Sequence, residues 1–259
     1  MSPPNQLFLN DMELEIKSLT DIGKRKENQD YLLSKKIADN YLFVVADGLG
    51  AHSRSDLASK YFSEAMGSHL NSYAPIINKD PIRGIQSLIR ASTHSMAEHL
   101  IKENQSDALT TCTVAYLNDK ISIFAHVGDS RIYRIEDGKI KWRTIDHSMG
   151  QELISAGMLS ETQLNTHPAR NMLTKCLGID KVVLADISIQ DPLQPNEAVL
   201  LCSDGFWEDM TEQDVEKFYF SKRLQTSLAT YVKKLHKTVP ELDNATAIFV
   251  RNAASKPKK

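Results

Sequence analysis

The chain has 259 residues, 41% of them hydrophobic, enough to bury a sizeable core. Its formal net charge of −2 and isoelectric point near 6.5 supply no basic footprint for nucleic acid or anionic lipid. No apolar run reaches the length of a membrane span, and the opening "MSPPNQLFLNDMELE" lacks the basic start and apolar stretch of a signal peptide. A cytoplasmic location away from membranes is therefore expected. Three cysteines, Cys112, Cys176 and Cys202, sit in apolar segments and suit buried free thiols in a reducing compartment.

Residues 1–10 are expected to be loosely attached, residues 11–252 to form one domain, and the basic "AASKPKK" of 253–259 to be a flexible tail. The runs "ELEIKSL", "DYLLSKKI" and "YLFVVAD" predict an opening meander of strands. Two helices follow, over "RSDLASKYFSEAMGSHLNSY" and from Pro81 through "PIRGIQSLIRASTHSMAEHLIKEN". In the second, Ile85, Leu88, Ile89, Met96 and Leu100 recur at helical spacing.

Strands resume at "ALTTCTVAYL" and "KISIFAHVGDS", and Asp137-Gly138 marks a hairpin within "RIYRIEDGKIKWRT". The stretch from Asp146 to Ile179 reads as partly helical, with Ser160 and Gln163 as a capping box. Strands at "VVLADISIQ" and "EAVLLCSD" precede helices starting near Thr211 and Ser227, and "ATAIFVRN" supplies a last strand. Strands at both ends around paired helices predict an α+β fold, which two sheets with helices outside would satisfy.

Two stretches, "LFVVADGLGAH" and "VLLCSDGFWE", each end an apolar run on Asp-Gly, at Asp47 and Asp204. A carboxylate at the end of a buried strand is costly to desolvate unless something cationic compensates, and a following glycine lets backbone approach closely. Asp129 ends a third such run, while Asp30 and Asp243 stand just before strands. All are hard oxygen donors with no cysteine–histidine cluster beside them, which suits Mg²⁺ or Mn²⁺ over zinc. A metal pair would activate water and neutralise a phosphoryl group, and Arg25, five residues before Asp30, is placed to grip that phosphate. Taken singly, each feature has a plainer reading: Asp-Gly as a turn, Asp129 paired with Arg131, Asp243 capping a turn. His126, in an apolar strand, reads as a hydrogen-bonded core histidine. Thr110, Thr111 and Thr113 read as β-formers.

In order, "RKENQD", "VVADGLGAH", "LTTCTVAYL", "VGDSRIYR", "DHS", "HPARNMLTKCLG", "LLCSDGFWE" and "DNATAIFV" resemble the metal-dependent PPM, or type-2C, serine/threonine phosphatases, compact bacterial members above all. The resemblance spans residues 23–250. It implies a four-layer αββα sandwich of two antiparallel sheets flanked by helix pairs, with a bimetal centre at one edge. Asp47 would bridge two Mn²⁺ or Mg²⁺ ions, one of them also bound by the Gly48 carbonyl, with Asp204 and Asp243 on the other. Asp30 would act through water, Asp129 with Asp204 would hold a third ion, and Arg25 would bind phosphate. The family chemistry is in-line hydrolysis of phosphoserine or phosphothreonine.

The partners implied are a phosphorylated protein and an opposing serine/threonine kinase, with the chain a monomer. Two positions depart from many eukaryotic members: Gln29 replaces a metal-linked glutamate, and Leu49 a histidine assigned as general acid. The nearest imidazole, His52, is then the candidate acid. Ser148 and the "MGQELISAGMLSETQLNTHPARN" stretch correspond to the family's mobile flap, a place to select substrates. The alternatives are a non-catalytic module of the same fold, which should lack metal aspartates, and a phosphatase for small metabolites.

Overall fold

The structure, a computed structural model, describes residues 13–50, 54–160, 163, 167, 169, 172–179 and 183–252. Both terminal segments expected to be loosely attached, and His52, lie outside the described residues.

The chain opens with β1 (Leu14–Asp21), β2 (Asp30–Ile37) and β3 (Asn40–Leu49), then α1 (Ser55–Lys79) and α2 (Pro81–Lys102). The α1 helix continues past Pro75 and beyond the predicted end at Tyr73. Asp80 caps α2 by accepting the Arg83 N–H at 3.2 Å, with Pro81 preset for the first turn.

The middle of the chain holds β4 (Leu109–Thr110), β5 (Cys112–Leu117), β6 (Ser122–Val127), β7 (Arg131–Glu136), β8 (Lys139–Arg143) and α3 (Met149–Ser155). Asp137 and Gly138 take φ of 49° and 79° to turn the β7–β8 hairpin. The predicted capping box forms, with Ser160 Oγ accepting the Gln163 N–H and Gln163 Oε1 accepting the Ser160 N–H.

The last part comprises β9 (Asp186–Gln190), β10 (Glu197–Cys202), α4 (Asp204–Trp207), α5 (Glu212–Phe220), α6 (Leu224–Thr238) and β11 (Ala245–Asn252). Thr211 and Asp214 cap α5 reciprocally. The α6 helix starts at Leu224, ahead of the predicted Ser227.

The strands form two sheets in the orders β1-β11-β10-β7-β8 and β2-β3-β5-β6-β9, with β4 paired to β3; the strand pairs are antiparallel. Three buried clusters separate four layers. On β3, Leu42, Val44 and Ala46 pack against α1 and α2, while Tyr41, Phe43 and Val45 face Val199, Leu201, Ile248 and Val250 of the other sheet. The outer face of that second sheet packs Leu200, Cys202 and Phe249 on α5 and α6. Strand β3 is covered on both faces, which is why it reads as an unbroken apolar run. This is the predicted αββα sandwich. All three cysteines are buried free thiols. Among the described residues, no helix is long and apolar enough to cross a membrane.

Candidate active site

Antiparallel pairing explains the recurring aspartates. Strands β3, β6 and β10 finish, and β2 and β11 begin, at one edge of the sandwich, so Asp47, Asp129, Asp204, Asp30 and Asp243 converge there from remote parts of the chain. Asp30 stands directly opposite Asp47 in the β2–β3 register.

Small polar residues fix this edge. Ser203 joins the two sheets: its Oγ donates to Asp30 Oδ2 at 2.7 Å and accepts the Thr246 N–H at 3.0 Å. The side chain of Asn244 laces down the loop that carries Arg25. Its Oδ1 accepts the Gln29 N–H at 2.8 Å, and its Nδ2 donates to the carbonyls of Ile22 and Glu27. Thr111 Oγ1 accepts the Asp47 N–H at 3.0 Å and bonds Ser130 Oγ, and Thr110 Oγ1 donates to the Asp47 carbonyl. Gln29 serves through its backbone, where its carbonyl accepts the Gly48 N–H.

Both Asp-Gly glycines are dictated by crowding. A Cβ on Gly48 would stand 2.2 Å from the Ser55 carbonyl oxygen, and one on Gly205 2.3 Å from that of Asn244. Backbone that close admits no side chain.

The carboxylates oppose one another's ionisation. Burial, the largest cause, and the nearby Asp204 and Asp243 push Asp30 up to about 7, against the hydrogen bonds from Ser203 and Thr246. Burial followed by Asp204 and Asp146 pushes Asp129 up to about 8. Asp47 is held well above the usual carboxylate range by burial, then by Asp30, Asp204, Asp129 and Asp243. Among the described residues, the Oδ1 atoms of Asp30 and Asp129 are buried without a hydrogen-bond partner. Arg131 does not pair with Asp129; it grips Asp146 through two bonds of 2.8 and 2.6 Å and stacks on Trp207, whose indole N–H donates to the Asp129 carbonyl. At the opposite rim, Arg25 Nη2 donates to Asp243 Oδ2 at 2.5 Å. That bond, with Asp204 and Asp47 nearby, raises the guanidinium above its ordinary value.

A divalent cation fits this donor set. The groups are hard oxygens, two of them buried orphans, and Asp30, Asp47 and Asp129 resist ionising until positive charge arrives. Among the described residues, no three acidic, histidine or cysteine side chains are drawn tightly enough around one point to hold an ion already.

The signature of the family described as protein phosphatase 2C matches residues 20–240. The chain belongs to the protein phosphatase 2C family. A serine/threonine phosphatase, stp, of Listeria monocytogenes serotype 4b is 28% identical over 236 residues, covering 89% of this chain and 93% of that one. The structure of the Streptococcus agalactiae serine/threonine phosphatase superposes with a TM-score of 0.77 at 26% identity, over 92% of this chain and 99% of that one. The PstP catalytic domain, at 20% identity and a TM-score of 0.72 over 92% and 97%, shares the fold; that structure holds two manganese ions.

Within this protein phosphatase 2C chain, Arg25, Asp30, Asp47, Gly48, Asp129, Asp204 and Asp243 share one edge. His126 is the buried core histidine expected, its Nε2 donating to the Ile145 carbonyl at 2.8 Å, and it stacks on His147. Sequence reading misses Ser203, Asn244, Thr246 and Trp207. Their one signal is position, since each lies within three residues of Asp204 or Asp243.

Proposed function

We infer from membership of this family that the chain works as a protein serine/threonine phosphatase, and metal dependence is general to that family. We propose that Asp47, the Gly48 carbonyl, Asp204 and Asp243 hold two Mn²⁺ or Mg²⁺ ions, and that Asp129 with Asp204 takes a third. When bound, such ions make water nucleophilic at neutral pH and offset the charge of a phosphoryl group. Arg25 leaves Asp243 for the substrate phosphate, where its planar fork matches two oxygens. Asp30, fixed through Oδ2 by Ser203, keeps Oδ1 to accept a proton from water and orient it. His52 is the candidate donor to the leaving serine or threonine oxygen. Substrates are phosphoproteins made by a serine/threonine kinase, and the chain acts on them as a cytoplasmic monomer.

One observation carries the metal assignment. Five aspartates converge on one edge while two of their buried oxygens lack a hydrogen-bond partner among the described residues. The test is phosphopeptide turnover with calorimetric Mn²⁺ titration. Turnover should vanish in chelator and return with Mn²⁺, and Asp47→Asn should weaken the titrated binding. Turnover that survives exhaustive chelation would overturn the assignment.

A further inference from the structure

The acidic edge has two unlike flanks. Arg25 stands on the Asp243 side, and on the Asp129 side opens a cleft of about 730 Å³. The cleft and the candidate centre are continuous: Trp207 lines the cleft while its indole N–H holds the Asp129 carbonyl, and Arg131, also lining it, follows Asp129 by two residues. Its walls are β7–β8, α3 and the segment after α4, with apolar surface from Ile140, Trp142, Ile154, Trp207 and Met210. An open hollow with two indoles and three apolar side chains suits a polypeptide laid across it.

Charge decides which polypeptide. The basic groups on the walls are engaged within the protein. Arg131 is spent on Asp146 and Trp207, Lys141 pairs with Glu136 at 3.0 Å, and Arg143 donates to the Thr144 carbonyl. Facing them, Glu208, Asp209 and Glu212 form an exposed acidic lip, and no ion pair joins Asp209 or Glu212 to another described residue.

We propose that this cleft binds the segment flanking the phosphorylated residue of a protein substrate, and that its lip selects segments carrying arginine or lysine beside that residue. This rests on the phosphatase assignment above and adds a substrate class to it. A phosphoserine whose neighbours are basic is what a basophilic kinase makes, so such a kinase is the class of enzyme that supplies this substrate.

The two tryptophans of the chain, Trp142 and Trp207, both line the cleft, so its occupancy is readable from intrinsic fluorescence. Matched phosphoserine peptides flanked by arginine, alanine or glutamate should bind the Mn²⁺-loaded protein in that order. The arginine peptide should quench or shift the emission and exceed the glutamate peptide in kcat/KM by about fivefold, the scale of two exposed charge contacts. The double variant Asp209→Asn/Glu212→Gln should bring the peptides to parity and leave p-nitrophenyl phosphate turnover at the wild-type rate. Equal binding of the three peptides by the wild type, a glutamate preference, or an arginine preference that survives in the double variant would overturn the proposal. The fluorescence titration needs no turnover. A wild type that ranks the peptides but hydrolyses neither them nor p-nitrophenyl phosphate would overturn the catalytic assignment and keep the cleft.

Discussion

The same strands end in opposite ways at the two ends of the sandwich. Where β10 begins and β11 finishes, buried charge is matched. Arg134 holds Glu197 through bonds of 2.9 and 2.5 Å and reaches the carbonyls of Asp191 and Pro192, and Arg251 holds Glu15 and the Tyr219 carbonyl. Where β10 finishes and β11 begins, five aspartates face one another, joined by the largely exposed Arg25. Elsewhere, then, the fold compensates buried charge with a partner of opposite sign. At this edge, on the metal assignment proposed above, the charge is left for an ion or a substrate to match.

Substitutions should break the two ends in contrary ways. Asp47→Asn should lower kcat on phosphopeptides by about a thousandfold, since it removes a group on which the other four all act. In chelator it should raise Tm by about 2–4 °C, because a repelling carboxylate has gone. A variant that loses activity and stability together would mean that Asp47 holds the fold. At the matched end, Arg134→Met should cost about 3–5 kcal/mol by stranding Glu197, with kcat per folded molecule unchanged in denaturation and steady-state assays. Arg25→Ala, smaller still, should raise KM for phosphopeptides by about tenfold with little change in Tm, the guanidinium being largely exposed. An unchanged KM would remove Arg25 from the phosphate site.

Legibility followed locality. β2 and β11 coincide with their apolar runs, "DYLLSKKI" and "ATAIFVRN", and α2 starts at Pro81, because alternation, proline and caps are encoded within a few residues. The aspartates are legible for the same reason: Asp47, Asp129 and Asp204 close apolar runs, and Asp30 and Asp243 stand just before them. Their supports were not. Ser203 reaches Asp30 across 173 positions and Asn244 reaches Gln29 across 215, and such bonds exist only once the sheets stack. Adjacency also suggested a wrong partner, setting Arg131 on Asp129, whereas the β7–β8 hairpin delivers Asp146 to Arg131 and leaves Asp129 Oδ1 bare.

The two kinds of buried titratable group should also differ in the sign of their pH dependence. His126 and His147 stack with centroids 4.5 Å apart and planes 3° off parallel, beside Asp186 and Lys175. Burial first, and for His147 the neighbouring ring next, holds both below the ordinary imidazole value. Unfolded imidazoles take a proton near pH 6.5. Unfolding therefore takes up protons below about that pH, and stability present above it is lost on acidification. The aspartates act oppositely in chelator. With Asp30 at about 7 and Asp129 at about 8, the folded chain keeps protons that unfolded carboxylates release near 3.9, so stability falls as pH rises between those limits. Saturating Mn²⁺ should hold the carboxylates ionised and leave the histidine effect alone. Tm should then drop between pH 7 and pH 5.5, and His147→Gln should shrink that drop by about 1–3 °C in differential scanning. Parallel curves for wild type and variant would show that the stacked pair does not set the acid limit.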